Sequence, residues 1–476
     1  MRGRIFLHLS VCVCSHHSRT AAMDVAQMIL CVRCVGHPWS PHTSIDVTPC
    51  LSVMWSSPHT NIIVHNTTML ARLTSRLGRP ASGALGARRR FASSTGAAAG
   101  QLYICGTGES NKLGLGDTRD RETPTLVEAL ADQPITHVHC GKYHSACVTA
   151  DGDVYAWGLE GSGQLGLGSY RTKASTPTKV DGLSGIGVTQ VSCGQYHTLA
   201  LTEAGEVYSC GFGGSFFNGA GGLGHNDRKQ RDAPEKLAAF GGADSATGLA
   251  AASVSAGGYH SVARDAEGGV WTWGRGEWGR LGHNDAGDCL VPTRVEYADV
   301  ASVAGAQAGD SHSGCLSPDG TVYTWGRNEH WQLGYEVVGL LNAGQSLEGQ
   351  QEPQPVELPD ESPVALFGCG ELGTAAVLEN GEVYVWGMAR FFSPTRVGGL
   401  EGIEGRIVDV QVGAYHCGFL TDAGRLYTFG TGAALAVPRS FREQWSVCDV
   451  NAHSLEGRRV LAVACGSNTT AMIMAP

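Results

Sequence analysis

The repeating unit of this chain is clearest in residues 141–158, which read GKYHSACVTADGDVYAWG. A glycine-led turn is followed by a short apolar strand, an Asp151-Gly152 turn and a second strand that ends at Trp157-Gly158. An Asp-Gly pair between two apolar runs is a typical signal of a β-hairpin. The same pattern recurs along the chain, and this recurrence indicates a repeat architecture.

Seven copies of this hairpin can be aligned. The glycines that end the second strand are Gly106, Gly158, Gly211, Gly274, Gly326, Gly387 and Gly430. The glycines that open the turn are Gly141, Gly194, Gly257, Gly309, Gly370, Gly413 and Gly466. In six units the residue three positions after the turn glycine precedes the strand-end glycine by 14 residues, while the spacers between units vary in length. A block of constant length between variable spacers indicates strand–turn–strand units joined by loops.

The two ends of the repeat array are complementary. Residues 100–106 match 152–158 position for position, but no turn precedes them, and the last turn at Gly466 reaches Pro476 before a second strand can form. A ring closed by pairing the first strand with the last unit explains both defects and removes exposed sheet edges. The sequence therefore predicts an all-β fold, a seven-bladed β-propeller over residues 100–476 closed by its amino-terminal strand.

Charge is distributed unevenly along the chain. Residues 1–99 hold ten of the 34 basic and two of the 44 acidic residues, which leaves 24 basic and 42 acidic residues, a net charge of -18, in residues 100–476. A body this acidic repels phosphate backbones, so direct DNA binding is not expected and RNA binding is disfavoured. No apolar run approaches the roughly 18 residues of a membrane-spanning helix, so no membrane span is expected. The protein is expected to be a monomer.

Cysteines in the repeats do not suggest a disulfide framework. Four of them occupy the same repeat position before a turn glycine, where other units carry alanine or valine: Cys140, Cys193, Cys369 and Cys465. A residue interchangeable with alanine is a small buried side chain, so we expect free thiols in a reducing compartment.

The first hundred residues divide into two parts. Residues 1–68 match nothing downstream and are interpreted as a disordered or spurious leader. Residues 69–99 combine an amphipathic, arginine-rich start with serines and no acidic residue, which is the composition of an organellar targeting presequence. We expect translation to begin at Met69 and cleavage to fall near residues 91–94, with the mitochondrion as destination. The chloroplast is the alternative destination, and a basic disordered linker the alternative structure.

The repeat motifs together resemble the regulator of chromosome condensation family of seven-bladed β-propellers. The matching elements are the Gly-x-x-His-Ser/Thr turn, the Asp-Gly-x-Val-Tyr-x-Trp-Gly hairpin, the Gly-Gln-Leu-Gly loop of residues 163–166 and a period near fifty residues. The resemblance covers residue 100 to the carboxyl terminus. It implies one of several functions, because the fold alone does not determine activity.

The resemblance implies different roles for different branches of the family. Exchange factors for the GTPase Ran use acidic and histidine residues in these turns, a pattern that Asp310 and His312 match and Glu371 echoes. A plant ultraviolet photoreceptor carries Trp and Arg in the turns, and their absence here argues against photoreception. Mitochondrial members are implicated in ribosome or RNA maturation, respiratory-complex assembly, or exchange on a dynamin-like GTPase, and the presequence favours this branch.

Candidate partner-binding residues occupy the variable positions of the turns and two of the loops. They are Lys142, Tyr143, Tyr196, Tyr259, Asp310, His312, Glu371, Tyr415, Trp278 and Trp331. The alternative for the two tryptophans is packing over the neighbouring blade. For the recurring histidines, a repeated hydrogen-bonding role is favoured over metal binding, because one histidine per blade spreads them around a ring.

Catalytic motifs are missing from the sequence. Residues 161–166 and 274–279 have the Gly-x-Gly-x-x-Gly spacing, but each lies in a repeat loop with no helix after it. We therefore expect neither a cofactor nor a metal. The sequence predicts a non-enzymatic mitochondrial platform or regulator that binds protein partners, in ribosome or RNA maturation or in respiratory-complex assembly. The alternative is guanine-nucleotide exchange on a small or dynamin-like GTPase.

Overall fold

The computed structural model describes residues 99–168, 173–215, 219–241, 248–337, 349–442 and 444–476, and the backbone of three earlier strands. The chain divides into two compact units, residues 1–86 and 87–476. In the first unit the earlier strands form an antiparallel sheet in chain order: His8–Val13, Met28–Arg33 and Ser52–Val53. The predicted presequence lies outside the described residues apart from its last position, so both amino-terminal assignments stay predictions.

The second unit contains seven four-stranded antiparallel sheets, which confirms the predicted propeller. Within each blade the strands are named a to d in the order in which they are hydrogen-bonded. Their bounds are, for blade 1, Ile135–Cys140, His144–Thr149, Val154–Leu159 and Lys173–Lys179; for blade 2, Val188–Cys193, His197–Thr202, Val207–Gly211 and Arg231–Lys236; for blade 3, Ala251–Ala256, His260–Asp265, Val270–Gly274 and Cys289–Arg294; for blade 4, Gly305–Ala308, His312–Leu316, Val322–Arg327 and Gly349–Pro355; for blade 5, Val364–Cys369, Gly373–Leu378, Val383–Gly387 and Phe391–Arg396; for blade 6, Ile407–Val412, His416–Thr421, Leu426–Gly430 and Val447–Asp449; and for blade 7, Val460–Cys465, Thr469–Met474, Gln101–Gly106 and Arg121–Leu126.

Short helical turns and one ribbon complete the described elements. The 3-10 turns are Glu109–Asn111, Glu128–Leu130, Asp181–Leu183, Glu277–Gly279, Ala298–Val300, Ala433–Leu435 and Arg439–Phe441. A single α-helical turn, Val450–Ser454, is capped by the Asp449 side chain, which accepts a hydrogen bond from the Ala452 N–H. The ribbon pairs Gly214–Ser215 with Gly219–Ala220.

Blade 7 closes the ring with strands from both ends of the propeller. Thr469–Met474 pairs with Gln101–Gly106 in an unbroken antiparallel register from Thr469↔Gly106 to Met474↔Gln101. Gly100 and Ile135 also exchange two backbone hydrogen bonds of 3.0 and 2.9 Å, which tie the same segment to blade 1. The closure expected from the two incomplete repeats is therefore confirmed.

The core lies between the blades. Strand c places a tryptophan at the same inter-blade position in four blades, and each of these is fully buried: Trp157, Trp273, Trp325 and Trp386. Cys210, Phe429 and Cys105 occupy this position in blades 2, 6 and 7, and they are buried as well. The eleven cysteines of the described propeller are free thiols, which agrees with the expected absence of a disulfide framework.

The a strands are innermost, and their free edges would leave backbone N–H groups without partners. Side chains of the preceding blade satisfy several of them. The N–H of Cys193 donates to Nδ1 of His139 at 3.1 Å, and the N–H of Cys369 donates to Oε1 of Gln307 at 3.0 Å. Ser192 and Ser255 accept in the same way from Ala256 and Ala308, at 2.9 and 3.0 Å.

The antiparallel order also decides which loops share a surface. Because the chain reverses at each strand, the a–b turns and the c–d loops emerge together, and the b–c turns emerge on the opposite side. We call the first surface the turn face. It carries the Gly-x-x-His turns and the glycine loops, and with them every candidate partner-binding residue.

Candidate protein-binding face

The a–b turns of neighbouring blades are joined by backbone hydrogen bonds. The residue after the turn glycine donates its N–H to the turn glycine carbonyl of the next blade in four cases, at 3.1 to 3.4 Å: Lys142 to Gly194, Gln195 to Gly257, Asp310 to Gly370 and Glu371 to Gly413. Gly258 and Ala414 donate to the next turn one residue further on, to Asp310 and Ser467, each at 2.9 Å. These bonds fix the backbone of the turn face, so differences between turns are expressed by side chains.

The turn glycine is required by this close approach. A Cβ atom at Gly309 would lie 2.5 Å from the Gly370 carbonyl oxygen and would also collide with the His312 ring. A Cβ at Gly466 would lie 2.8 Å from the carbonyl oxygen of Gly141, which shows that the contact continues across the closure. The glycine repeat therefore reflects the packing of one turn on the next.

The recurring histidines lie beneath this surface and connect the blades. Each donates from Nε2 to a hydroxyl in strand b of the next blade, at 2.7 to 3.0 Å: His144 to Thr198, His197 to Ser261, His260 to Ser313, His312 to Thr374 and His416 to Thr470. These hydroxyls in turn donate to a carbonyl of a c–d loop, as Thr374 does to Gln332 at 2.9 Å. The predicted hydrogen-bonding role of the histidines is confirmed.

His312, a candidate from the sequence, is therefore corrected to a supporting residue. It is fully buried below the turn face, where it holds blade 4 against blade 5 and cannot touch a partner. Burial lowers the pKa of His312 to about 3, so the ring is neutral. A neutral imidazole carries a single N–H, which in His312 is at Nε2.

Three of the candidate tyrosines form an arc across blades 1 to 3. The ring centroids of Tyr143 and Tyr196 are 5.5 Å apart, and those of Tyr196 and Tyr259 are 5.6 Å apart. Phe212, from the c–d loop of blade 2, meets Tyr259 edge-on at 6.1 Å. Tyr415 stands on blade 6 with 39% of its surface exposed. The face thus has a half-buried aromatic arc on one side of the axis.

The charged candidates meet at the axial end of the face. Nζ of Lys142 lies 2.7 Å from Oε1 of Glu371, and their turns belong to blades 1 and 5, which are not neighbours in the ring. The ion pair therefore crosses the axial opening. Burial raises the pKa of Asp310, Lys142 opposes this rise and Glu371 adds to it. The three residues form one electrostatic cluster from three turns.

The two loop tryptophans occupy different surroundings. Two guanidinium groups lie over the ring of Trp278, that of Arg280 at 4.8 Å and that of Arg327 at 4.2 Å from the ring centroid. Trp331 meets Phe392 of blade 5 edge-on at 5.3 Å, and Phe392 is 63% exposed. Both tryptophans thus pack against the next blade, while Trp331 also contributes to an exposed aromatic pair at the rim.

Sequence reasoning missed three contributors to this face. A Cβ atom at Gly258 would lie only 2.6 Å from Oδ1 of Asp310, so the glycine makes room for the aspartate. The guanidinium of Arg275 lies over the Tyr259 ring, 5.7 Å from its centroid, and so adds a cation to the aromatic arc. Phe392 could not be recognised from the sequence, because its exposure follows from its place in strand d of blade 5, Phe391–Arg396. Only Gly258 carried a sequence signal, since other turns have a side chain at that position.

The described residues can also be compared with the metal-binding and dinucleotide-binding patterns considered from the sequence. Within them, no group of three His, Cys, Asp or Glu side chains is placed to hold a metal ion. Residues 274–279 run from the end of strand c into the single 3-10 turn Glu277–Gly279, so the dinucleotide-binding context is lacking. What the turn face offers is a rigid backbone, aromatic surface and a few charges.

Residues 97–393 match the family model of the RCC1-like domain. The chain belongs to this family. The match agrees with the seven blades, the turn glycines and the inter-blade histidines described above.

Relatives within the family have varied roles. The chain is 33% identical over 287 residues to the ultraviolet-B receptor UVR8 of Arabidopsis thaliana, which covers 60% of each protein. It is 30% identical over 314 residues to the mitochondrial RCC1 domain-containing protein RUG3 of the same plant, which covers 66% of each. The chain thus spans less than two thirds of the length of these relatives.

A solved structure supports the fold. Prp20p of Saccharomyces cerevisiae, studied for its binding to Gsp1p and histones, superimposes with a TM-score of 0.68 at 19% identity, over 82% of this chain and 95% of that one. Identity at this level supports the architecture alone. In the part of the chain that the structure describes, no helix has the length and apolar character needed to cross a membrane.

Proposed function

We propose that this RCC1-like propeller is a non-enzymatic mitochondrial platform or regulator that binds protein partners through its turn face. The observation that carries the proposal is the contrast within that face. A hydrogen-bonded glycine backbone is repeated from blade to blade, while the residue directly after the turn glycine is different in each of the seven turns.

The composition of the face suits protein recognition. Tyrosine, tryptophan and arginine are the residues that contribute most to protein–protein affinity, and Tyr196, Tyr259 and Arg275 lie side by side here. The arc is partly buried before binding, so little side-chain entropy is lost on association. The acidic cluster at the axis would add orientation and partner choice.

The mitochondrial assignment rests on two independent supports. One is the predicted presequence of residues 69–99, and the other is the similarity to RUG3, a mitochondrial protein. Within the organelle we propose a role in ribosome or RNA maturation, or in respiratory-complex assembly. RNA itself is a less suitable partner, because the propeller carries a net charge of -18.

Affinity purification from isolated mitochondria, followed by mass spectrometry, tests the platform. Asp310→Ala should reduce recovery of the specific partners, because it removes a carboxylate from the face. Asp151→Ala is the matched control, since Asp151 is exposed in a b–c turn on the opposite side. Equal recovery by both variants, with both folded, would contradict the assignment of the turn face.

Nucleotide exchange is the second candidate function. It is favoured by Asp310, whose Gly-Asp-Ser-His turn resembles that of the exchange-factor branch and whose carboxylate lies on the face beside Lys142 and Glu371. Exchange needs a surface that distorts a nucleotide site, with no catalytic side chain. Purified propeller should then accelerate release of labelled GDP from an organellar GTPase. Unchanged release, together with recovery of ribosomal or RNA-processing proteins, would exclude this candidate.

We also propose that residues 1–68 are not part of the mature protein and that 69–99 are a cleaved presequence. Terminal peptide sequencing of protein recovered from mitochondria should find an amino terminus at residues 91–95. This leaves Gly100 and the closing strand Gln101–Gly106 intact. A mature terminus upstream of Met69 would overturn the proposal.

A further inference from the structure

The ion pair between Lys142 and Glu371 is unusual in its position. Both residues follow a turn glycine, yet the pair connects blades 1 and 5 across the axial opening. The ring is already closed by the strand pairing in blade 7 and by the hydrogen bonds between neighbouring turns. The two side chains retain 28% and 17% of their exposure, so solvent reaches the pair. A partly exposed pair of this kind contributes little to stability, which leaves a binding role open.

Carboxylates and cations alternate at this point of the face. Asp310 and Glu371 both interact with Lys142, Asp310 also interacts with Arg280, and Glu371 also interacts with the more deeply buried Lys112. Arg280 is held in place by the Glu277 carbonyl, to which its Nε donates at 3.0 Å, and by the Trp278 ring. Oε2 of Glu371 is buried and has no hydrogen-bond partner among the described residues. One acceptor oxygen next to the ammonium group is thus ready for a further donor.

The rest of the surroundings also suit a cation. Nζ of Lys142 lies 5.9 Å from the Tyr143 ring centroid, so the ammonium group has a carboxylate on one side and an aromatic ring near it on another. Gly258 leaves the space that Asp310 occupies, and Ser311 donates a hydrogen bond to Oδ2 of Asp310 at 3.0 Å. Lys142 therefore shows how a cationic side chain is held here.

We infer that the axial end of the turn face receives one arginine or lysine side chain from the protein partner, and that Lys142 is an internal occupant which this side chain displaces. The inference rests on the proposed turn-face function and names the chemistry of the partner. The incoming cation would take Oε1 and the unpartnered Oε2 of Glu371, while Lys142 turns toward solvent. A partner therefore binds only if its cationic side chain interacts with Glu371 more favourably than Lys142 does.

A peptide titration of the full chain tests the inference. The probes are the nonapeptide GSGSRGSGS and its citrulline counterpart, which has the same shape without the charge, and apparent Kd values come from saturation-transfer-difference NMR. Lys142→Met should bind the arginine peptide about three- to fivefold more tightly than the parent, because a partly exposed competing ion pair is removed. The citrulline peptide should show no such gain.

Lys179→Met is the matched control. Lys179 forms an ion pair of the same 2.7 Å length with Asp153 at the b–c end of blade 1, so its removal changes the net charge equally on the opposite face. Equal gains in both variants, or equal binding of both peptides, would overturn the cation site, as would no detectable arginine binding. Lys142→Gln provides a second variant if Lys142→Met melts early. Partner recovery that depends on Asp310 would leave the proposed function standing in either case.

Discussion

At the scale of single residues, one loop carbonyl organises the interface between blades 4 and 5. The Gln332 carbonyl accepts from Oγ1 of Thr374 at 2.9 Å and from Nε1 of Trp386 at 3.0 Å. Because Thr374 donates its hydroxyl proton here, it must accept from Nε2 of His312, 3.0 Å away. Thr374→Val would leave a buried N–H without a partner, and we expect a loss of about 1–3 kcal/mol in the free energy of unfolding, measured by chemical denaturation.

Thr293→Val is the control for this substitution. Thr293 lies in outer strand d of blade 3, where its hydroxyl donates to the Val291 carbonyl at 3.1 Å near solvent. Its change should stay within about 0.5 kcal/mol. Similar losses in the two variants would show that the His312–Thr374 connection carries no particular energy.

The sequence was sufficient for the role of the histidines and insufficient for their partners. Recurrence at one turn position predicts a shared hydrogen-bonding role, but the acceptor lies in the next blade, and its register follows from three-dimensional packing. Blade 5 shows the limit. It has Gly373 in place of the histidine, and Cys417 replaces the hydroxyl that would face it in blade 6. The two replacements are recognised as one change only when the blades are known to adjoin.

At the scale of the element, the a–b turn tolerates no side chain at its glycine. Gly309→Ala places a Cβ 2.5 Å from the Gly370 carbonyl oxygen, so the turn of blade 4 must move away from blade 5. We expect a loss of about 1–3 kcal/mol, the usual cost of overpacking, in the same denaturation measurement. Gly398→Ala should be near neutral, because no atom lies within 4 Å of its Cβ position. A Gly309→Ala protein as stable as Gly398→Ala would contradict the proposed contact.

Element boundaries followed well from the hairpin spacing, since a constant block length leaves one register. The c–d loops were predicted less fully. The c–d loop after Gly387 is short and the one after Gly430 differs in sequence from the others. Blade 5 nevertheless keeps a six-residue strand d, Phe391–Arg396, whereas strand d of blade 6 has only three residues, Val447–Asp449. The contacts of Trp278 with Arg280 and Arg327 gave no sequence signal, because the contact with Arg327 joins a loop of blade 3 to strand c of blade 4.

At the scale of the whole molecule, stability depends on the pairing of the amino-terminal strand Gln101–Gly106 with Thr469–Met474 in blade 7. A chain that starts at residue 108 lacks Gln101–Gly106 and leaves the edge of Thr469–Met474 unpaired. We expect it to melt earlier and to self-associate, since an exposed strand edge pairs with other chains. A chain that starts at residue 95 keeps the strand and should behave like the intact propeller. Light scattering during thermal melting distinguishes them, and identical behaviour would argue against closure as a source of stability.

The same closed interior makes the propeller sensitive to acid. Burial lowers the pKa most strongly for seven histidines, to about 3 for His137, His144 and His312, to about 4 for His139, His197 and His416, and well below its usual value for His260. Below the unfolded pKa of about 6.5 the unfolded chain binds protons that the native ring excludes, so stability present at neutral pH is lost as the pH falls toward 4.

Two buried aspartates, Asp310 and Asp409, act in the opposite direction, and Asp409 provides the test. Burial raises the pKa of Asp409 to about 7, so the native state keeps a proton that the unfolded chain releases, and this contribution declines as the pH rises from about 4 to 7. The seven histidines outweigh the two aspartates, so the free energy of unfolding, measured by urea denaturation, should fall as the pH is lowered from 6.5 to 5. Asp409→Asn removes the opposing contribution, so its fall should be steeper by about one proton, or about 1.4 kcal/mol per pH unit. If the two proteins lost stability equally with falling pH, Asp409 would have to be in contact with water. If the stability of the parent did not change with pH, the histidines would have to be in contact with water.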